Sequence, residues 1–179
     1  VIIAIILGSG RAEKKYGIHA ERYQDFCLIL VFVGFIFAHV FSVLWYEPMT
    51  VLEDPLVLVK IWGGISSYGG LLGGIIGLYI WHRRNPDEDT LLWADNAAWS
   101  LPFAWFFGRV WCSLVHDHPG VSASESWPLA FQFPDGTIRH DLGFYEAIWW
   151  AVIIMAVLIW DRKGTPDKPK GFYLASIPI

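Results

Sequence analysis

Apolar runs long enough to cross a bilayer, separated by short polar loops, leave this chain few alternatives to a bundle of membrane helices. Phe26 to Trp45, Ile61 to Trp81, Leu91 to about His116 and about Gly143 to Trp160 are such runs, each close to the roughly twenty residues that a helix needs to span hydrocarbon. Two partial runs flank them: Val1 to Leu7 reads as the tail of a first span, and Gly171 to Ile179 starts a further one. Because the chain opens and closes in mid-run, it is expected to be truncated at both ends. The expected fold class is all-α, a single polytopic transmembrane domain over residues 1–179. Charged residues make up 17% of the chain, below the roughly 25% of soluble domains. The net charge of −4 gives no reason to expect a nucleic acid partner. Two cysteines, Cys27 and Cys112, make no disulfide framework. The first apolar residues lack the basic leader and cleavage pattern of a secretory signal.

The basic residues orient the bundle. Alternate loops hold Arg11, Lys14, Lys15 and Arg22, then Arg83 and Arg84, then Arg162, Lys163, Lys168 and Lys170. By the positive-inside rule these loops are cytoplasmic, so the acidic loop Tyr46 to Lys60 and the polar loop Asp117 to Arg139 face outside. Trp45, Tyr46 and Trp62 then mark the outer edge, and Trp81, Trp93 and Trp160 the inner one, as an aromatic belt would. On this reading Cys27 and Cys112 sit at opposite faces and cannot pair.

One run carries a cation. Arg109 follows the apolar segment Leu101 to Phe107 and precedes Cys112, Ser113, His116, Asp117 and His118. Burying an arginine in hydrocarbon costs several kcal/mol unless it meets a partner or water. At about 100° per helical residue, Arg109, Cys112 and His116 share a stripe, with Ser113 and Asp117 at its edge. Pro119 and Gly120 are expected to stop that helix. The simplest alternative is a snorkelling arginine at a helix end.

The run from Gly63 to Gly77 is dense in glycine. Gly69, Gly73 and Gly77 recur every four residues, as do Gly70 and Gly74, a spacing that lets helix backbones approach closely. Gly63, Gly64, Ser66 and Ser67 lie at the outer end of this run, where unwound backbone would offer N–H donors to an anion.

Three motifs together resemble prolipoprotein diacylglyceryl transferases. They are Gly63-Gly64-Ile65-Ser66-Ser67-Tyr68-Gly69-Gly70; Gly108-Arg109, with Asp117 eight residues on and Gly120 after it; and Arg139-His140-Asp141-Leu142-Gly143-Phe144-Tyr145-Glu146. The resemblance covers nearly the whole chain. It implies an enzyme of the bacterial cytoplasmic (inner) membrane with seven spans. Such an enzyme moves a diacylglyceryl group from phosphatidylglycerol to the lipobox cysteine thiol of a prolipoprotein and releases glycerol phosphate. No cofactor or metal is implied. The partners implied are phosphatidylglycerol or a similar lipid and the lipobox segment, with a larger membrane assembly also conceivable.

Arg109 matches the family's essential arginine in G-R-x-G-N-F, Gly108 and Gly120 its flanking glycines, and Asp117 a glutamate. Tyr145 and Glu146 match the Tyr-Glu that opens a span, and His140 the histidine before it. The chain also departs from the family pattern. Tyr68 stands where the family has an essential histidine, Trp111 and Cys112 where it has Gly and Asn, and His39 where it has an arginine. The family's second essential arginine falls beyond Ile179.

The reaction that the resemblance implies makes chemical demands that these residues can be weighed against. A planar guanidinium holds a leaving phosphate bidentately, which makes Arg109 the expected anion holder and Arg139 a more exposed second. A thiol with an ordinary pKa of about 8.5 is helped by a nearby base. Tyrosine, titrating near 10, serves poorly. His116 is the first expectation for the base because it shares the stripe with Arg109; Asp117 would orient it, and His39, His118 and His140 stand in reserve. Expected catalytic residues are therefore Arg109, His116 and Asp117. Expected substrate-binding residues are Gly63, Gly64, Ser66, Ser67, Tyr68, Gly69, Gly108, Gly120, Arg139, His140, Tyr145 and Glu146. Two other readings stay open. The histidines with Cys112 contain enough donors for zinc or copper, and an inactive transferase-like protein could serve as a lipid-binding or structural subunit.

Overall fold

The computed structural model describes residues 1–60, 63–162 and 169–177. Ile61 and Trp62 at the expected start of one span, Lys163 and Lys168 of the expected inner basic loop, and the last two residues lie outside the described residues. Among the described residues, seven α-helices, α1 (Ile2–Tyr16), α2 (Ala20–Tyr46), α3 (Pro48–Glu53), α4 (Ser67–Arg84), α5 (Thr90–Val115), α6 (Leu142–Arg162) and α7 (Phe172–Ser176), dominate the fold. Between α5 and α6, three short strands, β1 (Pro119–Ser122), β2 (Ala130–Gln132) and β3 (Ile138–Asp141), form an antiparallel sheet in the order β1-β3-β2. The expected polar loop from Asp117 to Arg139 thus holds a small sheet. Its turn is set by Asp135, whose carboxylate accepts from the Thr137 N–H at 2.9 Å, with Gly136 at a φ of 80°.

α2 and α6 are the described helices whose length and apolarity suffice to cross a membrane. Both present exposed apolar side chains, among them Phe32 and Phe35 on α2 and Trp149, Val152 and Met155 on α6. Such surface belongs in hydrocarbon, where a helix satisfies its own backbone. α4 and α5 coincide with two further expected runs, diluted by glycine in α4 and by Asp95, Asn96 and Ser100 in α5.

The chain forms two compact units. In the unit Ser9–Ala94, α4 lies against α2 through the glycine stripe. A Cβ built on Gly69 would fall 2.5 Å from the Phe37 carbonyl oxygen, and one on Gly73 would fall 2.7 Å from the Gly34 Cα. Nothing larger than hydrogen fits, so the four-residue spacing is a packing face. Tyr23, Phe26, Trp81 and Trp93 form an aromatic cluster with ring centroids 5.3–5.9 Å apart. Arg22 stacks on Trp81 and pairs with Glu88 at 3.0 Å.

In the unit comprising Val1–Gly8 and Asp95–Ile179, a core of Ala98, Trp99, Trp150, Ile153, Val157, Tyr173 and Ile177 joins α5, α6 and α7. Buried Asp95 accepts from the Tyr173 and Leu174 N–H groups at 2.7 and 3.1 Å, satisfying donors that α7 leaves free at its start. Asp141 does the same for α6, accepting from the Phe144 N–H at 3.0 Å. A Cβ on Gly143 would meet Ser113 N at 2.9 Å and Cys112 C at 3.2 Å, so the end of α5 and the start of α6 touch backbone to backbone.

Candidate active site

Arg109 sits near the end of α5 with 23% of its side chain exposed, and Glu146 sits in the second turn of α6. The close approach at Gly143 brings them together as an ion pair, with Arg109 Nε 2.7 Å from Glu146 Oε2. Arg109 Nη1 lies 3.3 Å from His118 Nε2, and His118 Nδ1 lies 2.6 Å from Asp117 Oδ1. Nη2 of Arg109 carries no hydrogen bond among the described residues. The hydrogen bond from His118 is the main cause that holds the Asp117 carboxyl below the usual carboxylate range; the Cys112 thiol adds a smaller one.

The stripe expected from Arg109 to His116 stops one residue short. α5 ends at Val115, and His116 has a φ of 52°, a left-handed conformation that costs a non-glycine residue energy. That turn swings the ring away from the stripe, and Nδ1 meets Oδ2 of fully buried Asp141 at 2.6 Å. The rings of Phe131 and Phe133 on and beside β2 flank it, at centroid distances of 5.9 and 5.1 Å. The structure therefore brings His118 to Arg109 and fastens His116 to Asp141.

His140 Nδ1 lies 2.7 Å from the Tyr145 hydroxyl, to which Trp127 Nε1 also donates at 3.2 Å. These side chains, with Gly120, Val121 and Arg139, border an open cleft of about 840 Å³. Gly120 is required there, since a Cβ would stand 2.8 Å from the His140 carbonyl oxygen. Arg139 donates to Thr137 Oγ1 at 2.7 Å and lies 4.0 Å from Asp135, which ties it to the hairpin turn. Gly108 faces open space.

The remaining expected site residues lie in the other unit. Gly63, Gly64 and Ser66 precede α4 in non-helical backbone, and Ser66 caps that helix through a bond from Gly69 N at 3.5 Å. The N–H groups of Gly63 and Ser66 are used by the carbonyls of Lys60 and Ala38, both at 2.9 Å. Ser67 is exposed, as is Tyr68 at 73%. His39 is buried, with one ring nitrogen 3.2 Å from the Gly64 carbonyl oxygen and the other 3.0 Å from that of Val57.

As for a metal, donor atoms of Cys112, Asp117 and His118 lie within 4.8 Å of one another. The permanent charge of Arg109 against His118 Nε2 opposes a cation at that spot. His116 and His140 are engaged elsewhere, with Asp141 and Tyr145.

Asp141, Trp127 and the closeness of His118 to Arg109 are not read from the sequence. For Asp141 a signal exists, an aspartate directly before an apolar helical run, which marks an N-cap. For His118 nothing in the spacing separates it from His116.

Long apolar helices, a small sheet and an Arg109-centred polar cluster where α5 meets α6 place the chain among helical membrane proteins. Residues 1–177 match the family described as prolipoprotein diacylglyceryl transferase, and the chain belongs to that polytopic membrane family. Similar relatives include the phosphatidylglycerol–prolipoprotein diacylglyceryl transferases of Tolumonas auensis, 30% identical over 90% of this chain and 63% of the relative, and of Janthinobacterium sp., 34% identical over 73% and 50%. That of Vibrio parahaemolyticus is 30% identical over 97% of this chain and 65% of the relative. The chain thus spans about half to two thirds of the length of these relatives.

Proposed function

We propose that this protein transfers a diacylglyceryl group from phosphatidylglycerol to the lipobox cysteine thiol of a prolipoprotein, in the bacterial cytoplasmic membrane with its small sheet outside. The observation that carries this reading is Arg109. Its guanidinium is oriented by Glu146 through Nε and keeps Nη2 available, so it is set to receive a phosphate without first being ordered. In the reaction the acceptor sulfur bonds to the glyceryl carbon attached to phosphate. That carbon–oxygen bond breaks with its electron pair passing to the phosphate oxygen, and glycerol phosphate leaves carrying a second negative charge. A fixed guanidinium stabilises that charge as it forms. Exposed apolar faces on α2 and α6 suit a substrate whose acyl chains stay in the bilayer.

Full-length protein reconstituted with phosphatidylglycerol and a fluorescent lipobox peptide tests the reading by mass spectrometry of the peptide. A diacylglyceryl adduct on the cysteine is expected. Arg109→Lys, which keeps charge but not the planar fork, should lose on the order of 10²-fold or more, the loss expected for an oxyanion donor. No adduct from the wild-type protein would overturn the proposal. One observation favours the alternative of an inactive lipid-binding subunit: Tyr68, which holds the family's histidine position, is exposed, and a phenol is a poorer general base than an imidazole. Saturable binding of phosphatidylglycerol without transfer would support that alternative.

A further inference from the structure

We infer that His118, positioned by Asp117, is the group that takes the proton from the acceptor thiol, an inference that rests on the transferase reading above. The argument begins with hydrogen-bond direction. A guanidinium only donates, so the bond between Arg109 Nη1 and His118 Nε2 makes Nε2 the acceptor. The ring proton of a neutral imidazole then sits on Nδ1, where it donates to Asp117 Oδ1 at 2.6 Å. The result is a neutral histidine whose basic lone pair is aimed at the cation proposed to hold the phosphate, with a carboxylate behind it. A histidine base oriented by a carboxylate through Nδ1 is a recurrent arrangement for activating a nucleophile.

No other described histidine meets these conditions. His116 is committed through Nδ1 to buried Asp141 and enclosed by Phe131 and Phe133. His140 is committed to Tyr145. His39 has both ring nitrogens on backbone carbonyls. His118 alone touches Arg109, and with 42% of its side chain exposed it is open to a substrate. The distances also suit the reaction. The carbon under attack is one bond from a phosphate oxygen, and the attacking sulfur stands about 3–3.5 Å from that carbon. A base a few ångströms from the guanidinium therefore reaches the thiol.

The charges balance. When a lipid phosphate takes the Nη1 proton contact, Nε2 is released to accept the proton of the S–H bond. The imidazolium so formed lies beside Arg109, which is unfavourable, but Asp117 contacts it, Glu146 contacts Arg109, and the phosphate gains its second negative charge in the same step. The charged and titratable groups around His118 are Arg109 and Cys112 from α5, Asp117 from the turn, and Glu146 from α6 through Arg109. After the product leaves, the imidazolium returns its proton to water.

Two measurements on the full-length protein in phosphatidylglycerol vesicles test this. In the transfer assay, His118→Gln should lower kcat by roughly 10²- to 10⁴-fold with little change in KM for lipid. The loss should shrink as pH rises towards the thiol's own value of about 8.5, because the thiolate then forms unaided. Asp117→Asn should lower kcat less and shift the pH profile of kcat/KM, which a purely structural role would not do. Independently of activity, nitrogen-15 spectra of labelled histidine should show His118 with its proton on Nδ1, lost in Asp117→Asn. A wild-type enzyme that is active while His118→Gln retains its rate and pH profile overturns the base assignment and leaves the transferase reading standing. A proton found on Nε2 of His118 also overturns it. A wild-type protein without transfer activity overturns both. Loss of activity to a chelator, restored by zinc, would assign Cys112, Asp117 and His118 to a metal and overturn the base role.

Discussion

Removing the Asp141 carboxylate should loosen the junction on which the site depends. Oδ1 caps α6 by accepting from Phe144 N at 3.0 Å, and Oδ2 meets His116 Nδ1 at 2.6 Å, while the side chain itself is fully buried. Loss of an N-cap costs about 1 kcal/mol, and loss of a hydrogen bond to a charged group about 1.5–3 kcal/mol. Asp141→Ala loses both, for about 3 kcal/mol, whereas Asp141→Asn keeps an acceptor for the cap and should cost about half as much. For a chain of this length each kcal/mol moves Tm by about 2–4 °C. Asp141→Ala should therefore melt about 6–12 °C lower, and Asp141→Asn about 3–6 °C lower. Tryptophan emission during heating in detergent reads this, and the chain's eleven tryptophans supply the signal. A double-mutant cycle with His116→Ala should give a coupling of at least about 1 kcal/mol, because the two side chains share one bond. An Asp141→Ala protein melting within about 2 °C of wild type, or additivity in the cycle, would refute the reasoning.

Three further outcomes are expected. Gly69→Ala should destabilise the pair α2 and α4 by about 1–3 kcal/mol, since its Cβ would fall 2.5 Å from both the Phe37 carbonyl oxygen and Phe41 Cβ; an unchanged melting temperature would show that the helices part easily. Asp117 has a carboxyl held low by His118, so its contribution to stability is present above its unfolded value near pH 4 and fades as pH falls through the lower folded value. Because the pair is largely exposed, the effect is at most about 1 kcal/mol, and it should vanish from the melting curves of Asp117→Asn between pH 6 and pH 3. For topology, a single cysteine at Ser122 in a background without Cys27 and Cys112 should react with an impermeant thiol reagent in intact cells, and one at Arg83 should not. The reverse labelling would invert the orientation drawn from the basic loops.

What could be read in the sequence was periodic. The apolar runs and the glycine spacing repeat with the helix, so the bundle class and the packing role of Gly69, Gly73 and Gly77 follow from pattern alone. Arg109 was legible for a different reason: a guanidinium after an apolar run needs a partner, and Glu146 is one that the resemblance already marked. What could not be read depends on backbone that breaks the period. One left-handed residue at His116 ends the stripe, and the sheet that follows it lies in a segment rich in turn residues with no strand alternation long enough to recognise. Identical residue types two positions apart, His116 and His118, then part company, one to a buried carboxylate and the other to the guanidinium.

This separation bears on the proposed base, because Tyr68 stands at the position that the resemblance gives to a histidine. Arg109, Glu146, Cys112, Asp117 and His118 all come from the unit that contains Asp95–Ile179, and within it they are tied to one another by α5, α6 and the turn between α5 and β1. Tyr68 belongs to the unit Ser9–Ala94. The contacts shown for Arg109 and His118 come from Glu146 and Asp117, within their own unit. If proton removal has moved to His118, Tyr68→Phe should leave the pH profile of transfer in place, because the imidazole then sets that profile. A pH profile that changes in Tyr68→Phe, with His118 intact, would return the proton to position 68 and break that argument.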